Sequence, residues 1–409
     1  MPASLAPHAP TSSKPGATAG RLRVLFISSF LLFPDSRVGG AKRLFYLARE
    51  LANQCDLTVL CTDVGREAGA RSEPIETPFE RFFYLRYRRS LADKLTSPLG
   101  IVRSLRKHES EINAFLGREP FDVVICAFPH TLSFLALPVL RAADRVIYIE
   151  DDLSLETARA RVAATLSPLM KLVWTARLAQ STRFYNRMMK RVACFVSISQ
   201  EEQAIMRRSY PALETKIVGY GIPIPEYSPV GPPPEDLVLG FIGHYSHKSN
   251  VDAVEFFLEH WYPVLKRRVP RLSVHIAGKE IPAALVEKYR AETGIVWKEN
   301  VPELRSFYED ISIFVNPIVS QRGLRTKLVE AAAFGRPIIS TALGAEGLGD
   351  LDLRIAETAE ECADACATLQ DPATYQACAA GNRKAVEESY SIEAIGRSLF
   401  DCVSALANA

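Results

Sequence analysis

The chain has 409 residues, which is too long for one ordinary hydrophobic core, so we expect two domains. With 48% hydrophobic residues, 23% charged residues and a net charge of +2, its composition is typical of a soluble globular protein. The eight cysteines form no C-x-x-C pair and have no histidine at zinc spacing, which argues against a disulfide framework and against a structural metal site.

The first twenty residues, MPASLAPHAPTSSKPGATAG, are rich in Pro, Ala, Ser and Thr. They contain no apolar core of signal-peptide length, so we expect a disordered tail at 1–20 and a cytoplasmic protein. The most apolar later run, VVICAFPHTLSFLALPVL, is broken by Pro129, His130 and Pro138. A buried strand followed by a helix explains it better than a membrane span does.

The first domain, predicted over 21–222, alternates strands and helices. Strand patterns are RVLFISSF, DLTVLCT, FDVVICAF, RVIYIE and ACFVSIS. A loop carrying Gly39 and Gly40 follows the first strand, and the helix AKRLFYLARELANQ comes next. This alternation predicts a parallel sheet that is covered on both faces.

Charge in the first domain is strongly basic. Residues 1–220 carry a net charge of +10, and residues 221–409 carry −8. No acidic residue occurs from 157 to 200, where eight Lys and Arg residues alternate with apolar ones. A basic, partly apolar helix of this kind can lie on an anionic membrane at about 1 kcal/mol per nearby basic residue, but a solvated helix packed on its own domain shows the same pattern. No motif supports a nucleic-acid partner.

A Pro-rich stretch, GYGIPIPEYSPVGPPPEDL, predicts a linker at 223–236. The second domain, at 237–388, again alternates, with strands LVLGFIG, LSVHIAG, ISIFVNP and PIISTA. We assign a final helix to 389–409, and this helix could pack back on the first domain.

The fold class is α/β, with two Rossmann-like βαβ domains facing a cleft. Ligands of such sheets bind at the carboxyl ends of the strands.

The stretch QRGLRTKLVEAAAFGRP places glycine and basic residues where a strand gives way to a helix. The free N–H groups at the start of that helix would face the cleft and suit a phosphate. Glu330, one turn further on, suits two adjacent hydroxyls, and a nucleoside diphosphate presents both groups. The simpler alternative is a surface helix with a Lys–Glu pair. The residues assigned to this anion and diol site are Arg322, Gly323, Leu324, Arg325, Thr326, Lys327 and Glu330.

A second stretch, LGFIGHYSHKSNVDAVEFF, repeats this arrangement. Gly243, His244 and Lys248 are assigned to the same site, and Asn250 is expected to cap the helix that follows. Each loop alone could be structural, but two phosphate-facing loops at adjacent strand ends are more specific.

Catalytic groups are sought at the cleft edge of the first domain. His130 follows a buried strand and could contact the acceptor or the donor sugar. Asp151 and Asp152 follow RVIYIE, and one of them could orient or deprotonate an acceptor hydroxyl. The alternatives are an ordinary polar side chain for His130 and a charged helix N-terminus for the two carboxylates.

These pieces together resemble the GT-B glycosyltransferases of the group 1 or family 4 type. The resemblance rests on GFIGHYSHKSNVDAVEFFLEHWYPVLKRRVPRLSVHIAG, GIVWKENVPELRSFYEDISIFVNP and GLRTKLVEAAAFGRPIISTALGAEGL, in that order, and more loosely on the first domain. It implies that Glu330 binds the donor ribose, that Lys248, Lys327 and Arg325 contact the diphosphate, and that Gly39 and Gly40 approach it across the cleft. Residues 296–304 would lie against the base.

Three positions depart from the family pattern. Arg322 stands where a second carboxylate is frequent, which suggests an acidic sugar or another way of holding the sugar. His244 replaces a frequent Arg. Ile125 and Ala127 stand where many members carry a His pair, with His130 slightly later.

We therefore expect a glycosyltransferase that needs no metal or other cofactor and moves a sugar from a nucleoside diphosphate sugar to an acceptor hydroxyl. The family resemblance implies retention of configuration. The basic first domain favours a lipid-linked or cell-surface glycan as acceptor and peripheral association with the inner face of the plasma membrane. The alternatives are a nucleotide-sugar epimerase of the same fold and a degenerate, non-catalytic transferase acting as a partner subunit.

Overall fold

The computed structural model describes residues 20–33, 39–62, 77–86, 98–117, 120–149, 159, 162–164, 167–269, 271–320 and 326–409. Its strands are β1 (Arg23–Ser28), β2 (Asp56–Thr62), β3 (Arg81–Leu85), β4 (Val123–Ala127), β5 (Val146–Ile149), β6 (Cys194–Ser197), β7 (Glu214–Ile217), β8 (Val238–His244), β9 (Ser273–Lys279), β10 (Ile295–Glu299), β11 (Ile313–Asn316), β12 (Ile338–Ser340) and β13 (Leu353–Ile355).

The helices of the described chain are α1 (Gly39–Gln54), α2 (Leu99–Arg106), α3 (Glu109–Leu116), α4 (Pro168–Met189), α5 (Gln200–Ser209), α6 (Lys248–Phe256), α7 (Tyr262–Arg268), α8 (Ala283–Lys288), α9 (Leu304–Glu309), α10 (Thr326–Ala333), α11 (Ala359–Leu369), α12 (Pro372–Ser389) and α13 (Ile392–Ala407). Short 3₁₀ turns occur at Pro129–Ala136, Pro138–Leu140 and Ile224–Glu226, and a π turn at Phe257–Trp261 joins α6 to α7. None of the described helices is long and apolar enough to cross a membrane.

Two parallel sheets form the molecule. The strand order is β3-β2-β1-β4-β5-β6-β7 in the first sheet and β10-β9-β8-β11-β12-β13 in the second, and neighbouring strands run parallel. This confirms the predicted α/β class with two Rossmann-like units. In both sheets the first strand of the unit lies near the centre, and the order reverses beside it, which opens a crevice at the carboxyl edge.

The strands β4 and β5 are apolar along their whole length because helices cover both faces of a parallel sheet. All five residues of β4 and all four of β5 are buried, whereas only Ile295 of the edge strand β10 is buried. Alternate residues of β1 enter two separate cores: Val24 and Phe26 pack under α1, and Leu25 and Ile27 pack on the opposite face.

The chain crosses between the two units twice, side by side. The N–H of Ile222 donates to the carbonyl of Tyr390 (2.9 Å), and the N–H of Ile392 donates to the carbonyl of Ile222 (3.1 Å). Beyond this crossing α13 packs on α1, and Ile392, Ile395 and other apolar residues of α13 join the core of the first sheet. The packing is close, since a Cβ added at Gly396 would lie 2.3 Å from Cβ of Glu50.

Candidate functional site: a cleft between the two sheets

The carboxyl ends of β8 and β11 place two helix starts side by side in the second unit. The helix α6 begins at Lys248, four residues after β8 ends at His244, and α10 begins its described part at Thr326 after β11 ends at Asn316. The free N–H groups of a helix N-terminus and its positive dipole end favour an anion there. Of the stretch assigned to donor binding, Arg322, Gly323, Leu324 and Arg325 lie outside the described residues.

Helix α10 carries Lys327 and Glu330 three residues apart, and therefore on neighbouring parts of one face. The ammonium of Lys327 lies 4.2 Å above the ring centroid of Phe241 and donates to Oδ1 of Asn250 (2.7 Å). The other residues that follow Lys327 in the helix are small or aliphatic and buried, which sets α10 close against its sheet: Leu328, Val329, Ala331, Ala332 and Ala333.

Glu330 is a partly buried carboxylate without a hydrogen-bond donor among the described residues. Burial raises the pKa of Glu330 to about 7, although Lys327 and Lys42 both act to lower it. Burial, and next the Glu330 charge, raise the pKa of the surrounding tyrosines: to about 12 for Tyr220, and to well above the usual value for Tyr308. A carboxylate in this setting is open to hydroxyl groups supplied by a ligand.

Lys42 brings a cation from the first unit to Glu330. It belongs to the first turn of α1, and its ammonium lies 5.8 Å from the ring centroid of Tyr46. The neighbouring residue, Arg43, is 3% exposed and donates to the carbonyls of Val218 (2.7 Å) and Gly219 (3.4 Å) just before the domain crossing. The start of α1 is thereby fixed against the hinge, facing the second unit.

Gly39 and Gly40, expected in a loop, belong to α1 itself. That expectation was wrong because the helix starts two residues earlier than the apolar pattern of AKRLFYLARELANQ indicates. The consequence for the site is that the two glycines form the N-terminal turn of α1. In the first turn of a helix the N–H groups lack partners within the helix, and glycine leaves room for a ligand to approach the backbone.

The loop after β8 is held by Asn250. Nδ2 of Asn250 donates to the carbonyl of His244 (2.8 Å) while its Oδ1 accepts from Lys327. The expectation that Asn250 caps the helix was wrong: the N-cap is His247, which makes no side-chain cap bond. Gly243 is required here because an added Cβ would lie 2.9 Å from Cγ of Asn250.

Lys248 and His244 are more exposed than Lys327. The ammonium of Lys248 pairs with the carboxylate of Asp252, which also accepts from Oγ of Ser320 (2.7 Å). The pKa of Asp252 is lowered by these hydrogen bonds, that from Lys248 first. His244 bonds Oγ of Ser246 through Nδ1 (2.8 Å). Lys248 can reach a ligand only by leaving or sharing Asp252.

The first unit presents His130 at the end of β4. His130 is the second residue of the 3₁₀ turn Pro129–Ala136, and the turn follows Phe128, whose φ is +71°. Such a φ is strained for a residue with a side chain, and strain of this kind is stored at functional sites at a cost of about 1–3 kcal/mol. The carbonyl of Phe128 accepts from Oγ1 of Thr131 (2.8 Å), which fixes the turn. Asp151 and Asp152 lie outside the described residues.

Sequence reasoning missed Lys42 and Phe128, and it misassigned Asn250. Lys42 lies three residues after Gly39. If the two glycines are taken as the start of the helix, this spacing places Lys42 in the first helical turn and could have identified it. No local signal distinguishes the strained Phe128 from an ordinary strand end. The residues 296–304, expected near a base, form β10 and a turn in which Asn300 has φ +54°.

Within the described residues, no group of three or more His, Cys, Asp and Glu side chains could hold a metal ion. The groups that converge on the cleft are instead two ammonium groups, two helix N-termini and one carboxylate with a raised pKa. This set can bind an anion next to a pair of hydroxyls, and the strained turn at His130 follows the carboxyl end of β4 in the first sheet.

Comparison with known proteins places this geometry in a family. Residues 236–371 match the model for glycosyl transferases group 1. Over 116 residues the chain is 23% identical to an uncharacterized 44.6 kDa protein in the cps region of Klebsiella pneumoniae. That match covers 27% of this chain and spans 30% of the length of the Klebsiella protein.

Solved structures resemble nearly the whole chain. Sucrose-phosphate synthase from Thermosynechococcus elongatus superimposes with a TM-score of 0.64 at 14% identity, covering 94% of this chain and 99% of that one. Anabaena HepE in complex with UDP gives 0.61 at 12% identity, covering 94% of this chain and 100% of that one. At these identities the likeness shows the fold, and the family model assigns the second domain. The chain therefore has the GT-B fold, and its residues 236–371 form a domain of the glycosyl transferases group 1 type.

Proposed function

We propose that the chain transfers a sugar from a nucleoside diphosphate sugar to an acceptor hydroxyl. The observation that carries this proposal is Glu330, a carboxylate whose pKa is raised by burial, which has no described hydrogen-bond donor and whose pKa the charges of Lys327 and Lys42 act to lower. Its two oxygens would accept the two ribose hydroxyls of the donor. The ammonium groups and the adjacent helix starts would hold the diphosphate.

In the reaction the bond between the anomeric carbon and the diphosphate oxygen breaks, and the leaving diphosphate gains a negative charge. Lys327, Lys42 and the N-terminus of α10 would stabilise that charge without a divalent ion. The acceptor hydroxyl attacks the anomeric carbon and loses its proton. We assign the proton acceptor to His130, Asp151 or Asp152 on the first domain. Retention of configuration is part of the proposal through the family resemblance.

The donor base proposed for the first trials is uracil. Anabaena HepE, one of the structurally similar proteins, was crystallised with UDP and with UDP-glucose. The donor sugar is proposed to be acidic or held in another way, because Arg322 stands where a second carboxylate is frequent in the family.

The proposed acceptor is a lipid-linked or cell-surface glycan, because α4 is suited to an anionic membrane surface. This helix is about 33 Å long at 1.5 Å per residue, and its buried residues, from Phe184 to Met189, lie near its end. Its beginning leaves Leu169 71% exposed and Leu172 68% exposed, next to Lys171. Apolar side chains beside basic ones, with no acidic residue from 157 to 200, fit the interface of an anionic bilayer.

Sugar turnover with and without acceptor tests the proposal. The purified chain is incubated with UDP-sugars, neutral and acidic, in the presence of EDTA, with and without a lipid extract of glycan-carrying membranes. Transfer predicts release of UDP that depends on the extract and is abolished by Glu330→Ala. Isomerised sugar in the absence of extract would favour an epimerase. Donor binding without any turnover would favour a partner subunit.

Membrane association is tested separately by sedimentation with vesicles. We expect binding to vesicles of equal parts phosphatidylglycerol and phosphatidylcholine, little binding to phosphatidylcholine alone, and several-fold weaker binding after Leu169→Ser with Leu172→Ser. Ile355, which is 49% exposed on β13 of the other domain, provides the matched control, Ile355→Ser. Equal binding of both variants would contradict the assignment to α4.

A further inference from the structure

Asn250 joins the two loops of the donor site through both ends of its amide. Nδ2 donates to the carbonyl of His244 (2.8 Å), and Oδ1 accepts from the ammonium of Lys327 (2.7 Å). The side chain is buried, and only one orientation of the amide satisfies both neighbours, because an ammonium cannot accept and a carbonyl cannot donate. The amide oxygen is therefore directed at Lys327.

The packing around this amide leaves it no freedom to turn away. A Cβ added at Gly243 would lie 2.9 Å from Cγ of Asn250. Behind it, Gly278 has φ +141°, and a Cβ there would lie 1.7 Å from the carbonyl oxygen of Gly243. The ends of β8 and β9 therefore pack so closely that only glycine fits at Gly243 and Gly278. The side chain of Asn250, at the start of α6, packs directly against Gly243.

Lys327 is restricted by these contacts. Its ammonium is placed between Oδ1 of Asn250 and the face of Phe241, 4.2 Å from the ring centroid, while its backbone carbonyl accepts from the hydroxyl of Tyr308 (3.3 Å). A free lysine side chain loses up to about 2 kcal/mol of conformational entropy when it is fixed. A lysine that is already fixed does not lose it again on binding a ligand.

The chemical nature of the hydrogen-bond acceptor of Lys327 matters as much as its position. Lys248 pairs with the carboxylate of Asp252, so its charge is largely compensated. Asn250 offers Lys327 a neutral oxygen, which orients the ammonium and adds no negative charge of its own.

We infer that Asn250 is a positioning residue for diphosphate recognition, holding the ammonium of Lys327 at the start of α10 through a neutral amide oxygen. The inference rests on the proposed function, since it takes Lys327 as a diphosphate partner. It predicts that the affinity for the diphosphate group depends on Asn250, whereas the affinity for the nucleoside does not.

The test uses titration calorimetry with the nucleoside diphosphate that binds the wild type among UDP, GDP, ADP and dTDP, and with its nucleoside. Asn250→Ala is expected to weaken the diphosphate about tenfold and the nucleoside less than about twofold, the loss of roughly one charge-assisted contact. Asn250→Asp, of nearly the same shape, should weaken the diphosphate further because its carboxylate neutralises Lys327 and repels phosphate.

Asn382 provides a matched control, a fully buried amide in α12 that bonds only the backbone of Asp352 and Sγ of Cys378. Asn382→Ala should lower the melting temperature and leave the ratio of the two affinities unchanged. The inference is overturned if Asn250→Asp binds the diphosphate as tightly as the wild type, or if both Asn250 variants weaken diphosphate and nucleoside by the same factor. If no nucleotide binds the wild type, the proposed function itself fails.

Discussion

Replacing Glu330 by Gln should stabilise the folded protein in alkaline solution while abolishing its affinity for the donor. Burial raises the pKa of Glu330 from its usual 4.5 to about 7. Between these two values the folded protein binds more protons than the unfolded one, so the free energy of unfolding falls as the pH rises through this range. At about 1.4 kcal/mol for each pH unit, the wild type loses up to about 3 kcal/mol by pH 8. Because the Gln side chain carries no charge, the variant does not lose this part of the free energy of unfolding.

Urea unfolding of both proteins at pH 5, 6, 7 and 8 measures this effect. The difference in the free energy of unfolding, variant minus wild type, should be small at pH 5 and rise to between about 1 and 3 kcal/mol at pH 8. Other titrating groups affect both proteins equally and cancel in the difference. A difference that does not change with pH would refute the reasoning, because it would place the pKa of Glu330 near its usual value.

A variant of Lys42 tests whether α1 of the first domain lies close to Glu330 of the second. Lys42 acts to lower the pKa of Glu330 from the other side of the cleft. In the Lys42→Met background, the difference between Glu330→Gln and Glu330 should therefore level off at a higher pH and be larger at pH 8 than in the wild-type background. An unchanged difference at pH 8 would show that α1 does not approach Glu330 in solution.

Three further outcomes follow from the geometry. Gly243→Ala should destabilise the fold by about 1–3 kcal/mol and weaken diphosphate binding, because the new methyl group displaces Asn250; unfolding and titration calorimetry check both effects. Phe128→Gly should be more stable than Phe128→Ala by about 1 kcal/mol, the reverse of the usual order, because φ at this position is +71°; equal stabilities in urea unfolding would contradict the strain. Burial, and next Lys298, lower the pKa of His275 to about 4, so the folded protein binds fewer protons below its ordinary value of 6.5. The stability of the wild type relative to His275→Asn should then fall as the pH drops from 6.5 to 4, whereas a constant difference in urea unfolding would show an ordinary pKa.

Much of the fold was predictable because the local patterns and the global architecture agree. The buried runs in β4 and β5, the Pro-rich linker and the helical C-terminus each indicate one structure only. The helix boundaries were harder to predict from the sequence. α1 includes Gly39 and Gly40, whose low helix propensity argues against a helix start, and tertiary packing against the hinge through Arg43 overrides that preference.

The candidate site was predictable where one stretch of sequence holds the chemistry. Lys327 and Glu330 are three residues apart, so a single helix suffices to bring them together. The contacts of Asn250 with Lys327 and of Lys42 with Glu330 join residues far apart in the chain, and no local pattern encodes them. Asn250 was misassigned because Asn before an apolar run is typical of a helix cap, and here the helix begins two residues earlier.

Thermal unfolding of the wild type and Glu330→Ala with UDP, GDP, ADP and dTDP, in EDTA, tests the central claim most directly. A nucleotide present at a hundred times its dissociation constant should add about 2.7 kcal/mol of stability. The account predicts that one nucleoside diphosphate raises the melting temperature of the wild type by a few degrees and leaves the variant unchanged. If no nucleotide stabilises the wild type, or if the variant is stabilised equally, Glu330 does not bind the donor and the assigned site is wrong.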